Sequence, residues 1–442
     1  MINFKKMTVS LLMSIAIVLT SSSLNSVSAA SLDLEAESAI LVDAETGEIL
    51  FAKEADIKLP PASMTKMMTE YLVLEAIDNG EFDWDTTIQI DDYPYAISAN
   101  PAFSGIGLRQ SQDYTVRQLY EGMAIISDNA TTIALAELVA GSETEFVEMM
   151  NDKGEELGLT DYEFVNSTGL NNASLDGEHP EGTAEDADNL MSARATAILA
   201  YHLVNDYPEV LEFSSMLTSE LDGEHLENLN WMLPWDNTNF AQYYFEGVDG
   251  LKTGFTTEAG YSFTSTAEQD GQRLITVVMR TDSYGARFEQ TQELLDYGFS
   301  EFEKQTLFEA GDQLEDESVI DVDKGREDTV EVELADDLSA MVKDGEEDLY
   351  SIEYEFDTDY LNDDEELVAP IEQGDVVGQV RLVYGGEDHY GNIYEDQSDQ
   401  RVDLIATSDV EQANWFMLSM GAIGDFFSDL FSTVVDSVTG WF

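Results

Sequence analysis

The chain has 442 residues, 43% of them hydrophobic, which is long enough for a substantial core and two or three domains. Its 91 acidic and 19 basic residues give a formal net charge of −72, which repels nucleic acid and argues against it as a partner. The chain contains no cysteine, so disulfides and thiol catalysis are excluded.

The acidic residues are dispersed along the chain and do not follow the spacing of a calcium-binding loop. Their mutual repulsion destabilises a compact fold unless ions screen it, and at about 1 M salt the Debye length shrinks to about 3 Å. We therefore interpret the charge as an adaptation to high salt, in preference to an acidic metal-binding protein. No metal and no organic cofactor is predicted.

Residues 1–29 have the pattern of a signal peptide. Lys5 and Lys6 precede an apolar run over residues 7–20, and Val27-Ser28-Ala29 offers a small-residue cleavage site. The run is short for a membrane span and ends in serines, which disfavours an uncleaved anchor helix. The pattern predicts export, with a mature chain from about Ala30.

The next elements predict an α/β domain over residues 30–306. Apolar runs at residues 39–42 and 48–51 flank a turn-rich loop and predict a β-hairpin. After Pro60-Pro61, residues 63–77 predict a helix that begins at or just before Ser63. Residues 116–126 and 130–139 predict helices, and residues 261–266 and 274–279 predict paired strands. Central helices with strands at both ends indicate an antiparallel sheet flanked by helices.

From residue 307 to 409 the chain changes to short strand-like runs between acidic turns, at residues 329–334, 350–356, 376–383 and 402–405. This pattern predicts a small all-β domain.

In residues 410–442, apolar side chains recur at steps of three and four: Phe416, Met420, Ile423, Phe427, Leu430, Val434, Val438 and Trp441. Three aspartates interrupt this stripe, which favours an amphipathic helix lying on a membrane surface over a span. The alternative is a helix docked on the β domain.

Ser63 and Lys66 form the first candidate site. Residues three apart share a helix face, so Lys66 would lie beside the Ser63 hydroxyl and act as the base that a serine nucleophile needs. Burial and nearby cations would have to lower the lysine pKa for that role. The spacing alone is common on helix surfaces, so it is weak by itself.

Two more motifs are equally weak in isolation. Ser127-Asp128-Asn129 offers a hydroxyl for proton relay and an amide for a substrate carbonyl, although all three residues are also favoured helix N-caps. Lys252-Thr253-Gly254 is predicted to precede a strand, where the lysine supplies charge and the glycine permits close approach of a substrate. The alternative there is a plain turn.

Together and in this order, the three motifs are those of penicillin-binding proteins and class A β-lactamases. Residues 61–69, residues 248–256 and Ala259-Gly260-Tyr261 resemble the low-molecular-weight penicillin-binding proteins, the D-Ala-D-Ala carboxypeptidases. Residues 367–370 and 374–378 resemble that family's C-terminal β domain, and the terminal stripe resembles its membrane anchor.

The resemblance implies a β-lactamase/transpeptidase-like fold and a serine carboxypeptidase that acts on peptidoglycan stem peptides and is inhibited by β-lactams. It implies Ser63 as the acylated nucleophile, Lys66 as its base and Ser127 as a proton relay. Substrate binding would fall to Asn129, Lys252, Thr253, Gly254 and Arg287, the last in Gly285-Ala286-Arg287. The backbone N–H groups of Ser63 and Phe255 would form the oxyanion hole.

The chain departs from the family in one stretch. Asn228-Leu229-Asn230 stands where many relatives carry an arginine in an Arg-Asn-Gly sequence, so carboxylate recognition at that point is in doubt. The following segment, residues 235–247, is longer and more aromatic than usual, so the rim of the cleft is expected to differ.

Other functions remain as alternatives. A β-lactamase would need a deacylating carboxylate, and Glu185 with Asn189 fits its Glu-x-x-x-Asn spacing, as chance allows in so acidic a chain. A non-catalytic peptidoglycan-binding protein would use an inactive cleft. Two Asp-Gly-Glu-His sequences end at His179 and His225, but neither has the His-Glu-x-x-His spacing of a helical metal site. A Ser-His-Asp hydrolase is disfavoured because the sequence contains no nucleophile-elbow motif for a histidine to act on.

Overall fold

The computed structural model describes residues 32–175, 177–236, 239–312, 318–362, 366–386, 391–394 and 400–414. The predicted signal peptide and the predicted amphipathic stripe from Phe416 onward lie outside these residues. In the described ranges, no helix combines the length and the apolar character needed to cross a membrane.

Among the described residues, the α-helices all lie in the first part of the chain. In order, they are α1 (Lys66–Asp78), α2 (Asp92–Ser98), α3 (Val116–Ile126), α4 (Asn129–Ala140), α5 (Glu143–Glu156), α6 (Ala193–Asp206), α7 (Val210–Ser214) and α8 (Ala286–Glu301). Several begin at capping side chains that the sequence supplies. Thr115 and Gln118 form a capping box before α3, and Ser192 accepts a hydrogen bond from the Ala195 N–H before α6.

The strands of this part are β1 (Ser38–Asp43), β2 (Ile49–Lys53), β3 (Thr87–Gln89), β4 (Asp113–Thr115), β5 (Tyr162–Glu163), β6 (Leu190–Met191), β7 (Thr218–Leu221), β8 (Glu224–Glu227), β9 (Val248–Thr256), β10 (Gly260–Gln269) and β11 (Gln272–Thr281). Five of them form the main antiparallel sheet in the order β2-β1-β11-β10-β9. The predicted β1–β2 hairpin and the β10–β11 pair are confirmed. Strand β9 is the edge of this sheet.

Both faces of the sheet are covered, which explains its unbroken apolar strands. Ile40, Val277 and Met279 belong to the main hydrophobic core together with residues of α6. Successive side chains point to opposite faces, so the neighbouring Leu41 and Leu274 lie on the other face. There they come so close to Gly298 of α8 that a Cβ atom at that glycine would lie 2.5 Å from Leu274.

The second part is all β, as predicted. Its strands are β12 (Phe302–Phe308), β13 (Val319–Asp323), β14 (Thr329–Leu334), β15 (Leu338–Lys343), β16 (Tyr350–Phe356), β17 (Leu367–Val368), β18 (Val376–Tyr384) and β19 (Arg401–Ala406). Six form a sheet in the order β16-β18-β19-β14-β13-β17, and β12 pairs with β15. Alternating residues of β14, namely Val330, Val332 and Leu334, are buried in a second core.

The two parts meet without a linker. Helix α8 runs directly into β12, and the boundary predicted at residue 307 lies inside that strand. The backbone N–H of Met341 donates to the Glu48 carboxylate at 3.1 Å, and that of Ile393 donates to the Gly47 carbonyl at 2.9 Å. Val410, within the range predicted as a tail helix, instead bridges to Ile371 of the β domain.

Candidate active site

Ser63 lies on a tight turn at the start of α1. The prolines before it end the preceding extended segment, and Ala62–Thr65 forms one 3-10 turn that leads into the helix at Lys66. Ser63 is partly exposed, whereas Ala62, Met64 and Thr65 around it are buried. The fold therefore presents the Ser63 hydroxyl to the outside from a rigid, packed base.

Lys66 is completely buried beneath this turn. Its Nζ contacts the Ser63 Oγ at 3.2 Å, the Asn129 Oδ1 at 2.9 Å and the Thr168 carbonyl oxygen at 2.7 Å. Burial, reinforced by the positive charge of Lys252, holds the pKa of Lys66 well below its usual value. The Lys66 amine therefore lies in contact with the Ser63 hydroxyl and has a lowered pKa, which is the arrangement that a general base requires.

The Ser127-Asp128-Asn129 motif joins α3 to α4 at the edge of the same site. Ser127 adopts a left-handed conformation with φ of 61° that ends α3, and Asp128 caps α4 by accepting hydrogen bonds from Ala130 and Thr131. The N-cap interpretation is thus correct for Asp128. Ser127 Oγ is buried and has no hydrogen-bond partner among the described residues, so its hydroxyl is available to a substrate or a water molecule.

The Lys252-Thr253-Gly254 motif lies inside β9 and not before a strand as predicted. The prediction was wrong because residues 248–251 extend the pairing with β10, where Lys252 faces Thr264. A Cβ atom at Gly254 would lie only 2.5 Å from the Pro61 carbonyl oxygen. Glycine is therefore required for β9 to pack against the turn that carries Ser63. Burial lowers the pKa of Lys252.

Arg287, at the start of α8, is buried behind β9. Its guanidinium donates to the Gly254 and Ser262 carbonyl oxygens at 3.3 and 3.4 Å and lies 4.0 Å from the Tyr284 ring centroid. No carboxylate of the described residues pairs with it, and its Nε lacks a hydrogen-bond partner there. Burial lowers the pKa of Arg287 to about 10, so it remains a cation at neutral pH.

Aromatic side chains form the outer rim of the site next to Arg287. Phe255 is half exposed and stacks on Tyr261 with ring centroids 4.4 Å apart. The ring centroid of Trp231 lies 4.2 Å from that of Tyr284, and the Trp231 ring also stacks on Phe240. The aromatic segment noted in the sequence, residues 235–247, therefore joins this rim through Phe240, which stacks on Trp231.

The Asn228-Leu229-Asn230 stretch has a structural role. The Asn228 amide donates to the Ser214 and Met216 carbonyl oxygens, and its Oδ1 accepts from the Asn230 N–H. Asn230 in turn accepts from the Met232 N–H. These hydrogen bonds stabilise the loop. Because both side chains are neutral amides, the positive charge near β9 comes from Lys252 and Arg287.

Several residues of the site escaped the sequence reasoning. Thr168 supplies a carbonyl to Lys66 from 102 positions away, with no local pattern to reveal it. Glu143 accepts from both the backbone N–H and the hydroxyl of Ser167, and so holds that turn in place. Glu70 is buried one helical turn after Lys66. It could have been found as an acidic residue at position i+4 on an otherwise apolar helix face.

The residues that fit the β-lactamase spacing do not form a deacylating pair. Glu185 is exposed on a loop. Asn189 is buried, and its Oδ1 accepts from the backbone N–H groups of Val165 and Asn166. His225 is likewise exposed, on the β7–β8 hairpin, and its contact with Glu227 is a long 3.9 Å. Of these residues, Asn189 has a structural role.

A serine on a helix-initiating turn, a buried lysine 3.2 Å away and two further buried cations beside an edge strand define an active-site-serine enzyme. A family model described as D-alanyl-D-alanine carboxypeptidase matches residues 24–283, and one described as the C-terminal domain of penicillin-binding protein 5 matches residues 302–412. The chain belongs to the D-alanyl-D-alanine carboxypeptidase family, which confirms the resemblance predicted from the three motifs.

Curated relatives agree over most of the chain. It is 32% identical to the D-alanyl-D-alanine carboxypeptidase DacF of Bacillus subtilis over 353 residues, which cover 80% of this chain and 82% of that protein. It is 30% identical to DacA of Escherichia coli over 358 residues, covering 80% and 81% of the two chains.

Solved structures confirm the two-part fold. The peptidoglycan synthesis regulatory factor (PBP3) of Streptococcus pneumoniae is 36% identical with a TM-score of 0.66, covering 85% of this chain and 99% of that one. Penicillin-binding protein 5 of Haemophilus influenzae is 29% identical with a TM-score of 0.66, and the match covers 86% of this chain and 98% of that one. Penicillin-binding protein D2 of Listeria monocytogenes in its cefotaxime-bound form is 32% identical with a TM-score of 0.52, and the match covers 61% of this chain and 98% of that one.

Proposed function

We propose that the chain is a serine D-Ala-D-Ala carboxypeptidase that removes the terminal D-alanine from peptidoglycan stem pentapeptides. The observation that carries the proposal is the 3.2 Å contact between Ser63 Oγ and the wholly buried Lys66 Nζ. A lysine with a lowered pKa can hold the free base form that serine activation requires.

In the first half-reaction, Ser63 Oγ attacks the carbonyl carbon between the two D-alanines and transfers its proton to Lys66. The developing oxyanion accepts hydrogen bonds from the backbone N–H groups of Ser63 and Phe255, close to the positive end of α1. The C–N bond then breaks, and the Ser127 hydroxyl relays the proton that Lys66 took from Ser63 to the departing amine, which leaves Lys66 neutral again. In the second half-reaction, water hydrolyses the ester on Ser63 and releases the shortened peptide.

The terminal carboxylate of the substrate is proposed to bind at the Lys252 end of the cleft. Arg287 is cationic at neutral pH, and no carboxylate of the part of the chain that the structure describes pairs with it. Thr253 adds a hydroxyl donor. Asn129 uses one N–H on Ser104 and one lone pair on Lys66, which leaves an N–H and a lone pair for the substrate peptide. The edge position of β9 lets an extended peptide align along it.

β-Lactams are proposed as inhibitors that acylate Ser63. Penicillin-binding protein D2 of Listeria monocytogenes has been solved in cefotaxime-bound and ampicillin-bound forms. A β-lactamase is not favoured, since the Glu185 carboxylate is exposed and Asn189 is committed to the backbone. A non-catalytic binding protein has no need of a buried lysine in contact with a serine.

We also propose export to the outer face of the cytoplasmic membrane and attachment there through residues 415–442. The support is the signal-peptide pattern of residues 1–29 and the apolar stripe of the tail. Both are sequence arguments. The substrate class is consistent with that location, because peptidoglycan lies outside the membrane.

Intact mass after incubation with benzylpenicillin tests the catalytic proposal. Wild type should gain one slowly lost adduct on Ser63, Ser63→Ala should gain none, and Lys66→Ala should lose nearly all acylation. Ser104→Ala is the matched control, because Asn129 contacts the Ser104 carbonyl and not its hydroxyl. Labelling of Ser63→Ala at the wild-type rate would refute the assignment. Rapid turnover would instead indicate a β-lactamase, and absence of any wild-type adduct a binding protein.

A further inference from the structure

Glu70 is a buried acidic residue that the mechanism above does not use. It lies on α1 four positions after Lys66, so the two side chains share one face of the helix. Its exposure is only 2%, and its Oε1 has no hydrogen-bond partner among the described residues. A carboxylate in such surroundings is costly unless nearby positive charge compensates it.

The other two carboxylates near Lys66 have evident structural partners. Asp128 accepts from the backbone N–H groups of Ile106, Ala130 and Thr131. Glu143 accepts from Ser167. Within the described ranges Glu70 makes no hydrogen bond of this kind, so holding a loop or a helix end does not account for its burial.

The charges around Glu70 come from the catalytic centre. The strongest interaction of Glu70 is with Lys252, and the second is with Lys66. Burial raises the pKa of Glu70, and the two lysines oppose that rise. Reciprocally, burial lowers the pKa of Lys252, and Glu70 opposes that fall. Asp128 and Glu143 also act on Lys66, and Arg287 acts on Lys252. Burial raises the pKa of the Tyr120 hydroxyl, and both Glu70 and Glu209 raise it further.

We propose that Glu70 is a positioning residue of the active site, the counter-charge shared by Lys66 and Lys252, which keeps the carboxylate-binding lysine cationic and stabilises the catalytic lysine as it gains the serine proton. The proposal rests on the proposed function, since it assumes those two lysine roles. Lys66 changes from neutral to cationic when Ser63 attacks, so the negative charge of ionised Glu70 stabilises the transition state more than the ground state. Burial raises the pKa of Glu70 to about 7, so this charge is present above that pH.

The sign of the effect on pH dependence follows from electrostatics. Acylation requires neutral Lys66 on the acid side of its pH profile and cationic Lys252 on the alkaline side. Loss of the Glu70 charge lowers the pKa of both lysines, so both limbs should move to lower pH together. Damage to packing alone would reduce the maximum rate without moving either limb.

The experiment is the pH profile of penicillin acylation for wild type, Glu70→Gln and Glu70→Asp. Glu70→Gln should move both limbs down by about one pH unit. Glu70→Asp keeps the charge and should return the profile to within a fraction of that shift. The matched control is Glu75→Gln, on the same helix but paired with Lys153, and its profile should stay in place.

Three outcomes would overturn the inference: a Glu70→Gln profile with unmoved limbs, limbs that move in opposite directions, or a Glu70→Asp profile displaced as far as that of Glu70→Gln. If Glu70→Gln does not fold, the Glu70→Asp result decides alone, and a displaced profile contradicts the proposal. A wild-type enzyme that is never acylated would overturn the proposed function instead, and that result is separate from all of these.

Discussion

Gly169 supports the nucleophile from below, and its replacement by alanine should disable catalysis. A Cβ atom at this position would lie 1.8 Å from the Ala62 carbonyl oxygen and 2.9 Å from Thr65 Oγ1. Protein Cβ atoms essentially never approach other atoms closer than 3.0 Å, so the two segments must separate by about 1 Å or more. The same movement displaces the Thr168 carbonyl that holds Lys66.

Two effects of Gly169→Ala can be estimated separately. Gly169 has φ of +81°, a left-handed conformation that costs alanine about 1–2 kcal/mol. A displacement of about 1 Å between nucleophile and base costs about 100-fold in acylation rate. The matched control is Gly141→Ala, with φ of +88° and no atom within 4 Å of the added methyl group.

Both variants should lose stability in urea through the strained φ, and Gly169→Ala should lose more because its methyl group also overlaps Ala62. Only Gly169→Ala should lose acylation and D-alanine release. Rates are to be measured at a temperature where circular dichroism shows both variants folded. A Gly169→Ala enzyme that acylates at the wild-type rate would refute the geometric argument. An equal loss of activity in Gly141→Ala would show that strain, and not the contact with Ala62, is responsible.

Two further predictions concern charge and the tail. Folding should strengthen as KCl rises toward molar concentration, because screening relieves repulsion among the 91 acidic residues, and a urea midpoint that stays flat or falls with salt would contradict the halophile interpretation. Removal of residues 415–442 should abolish liposome flotation and preserve D-alanine release, since every proposed catalytic residue precedes residue 307. The tail's charged side chains, Asp425, Asp429 and Asp436, gain nothing from anionic lipid, so flotation of the full chain should persist or improve at high NaCl, and its release by salt would argue against this anchor.

Local chemistry in the sequence determined much of this protein. The spacing of Ser63 and Lys66 predicts their contact because residues three apart meet on any helix, whatever surrounds it. The hairpin, helices α3 and α4, the β10–β11 pair and the strands of the β domain follow from apolar periodicity and turn residues, which act over a few positions. The three motifs, taken together in order, indicated the family.

Tertiary structure decided what depends on contacts between distant segments. Thr168 reaches Lys66 only because the turn anchored by Glu143 folds against α1, and no pattern within either segment encodes that approach. The Lys252 motif lies within a strand because β10 pairs with the residues before it. Burial lowers the pKa of Lys66, and among the described residues the buried Glu70 Oε1 has no hydrogen-bond partner. Both effects arise only when the sheet and the helices pack around these side chains, because desolvation is a property of the folded interior and not of the sequence.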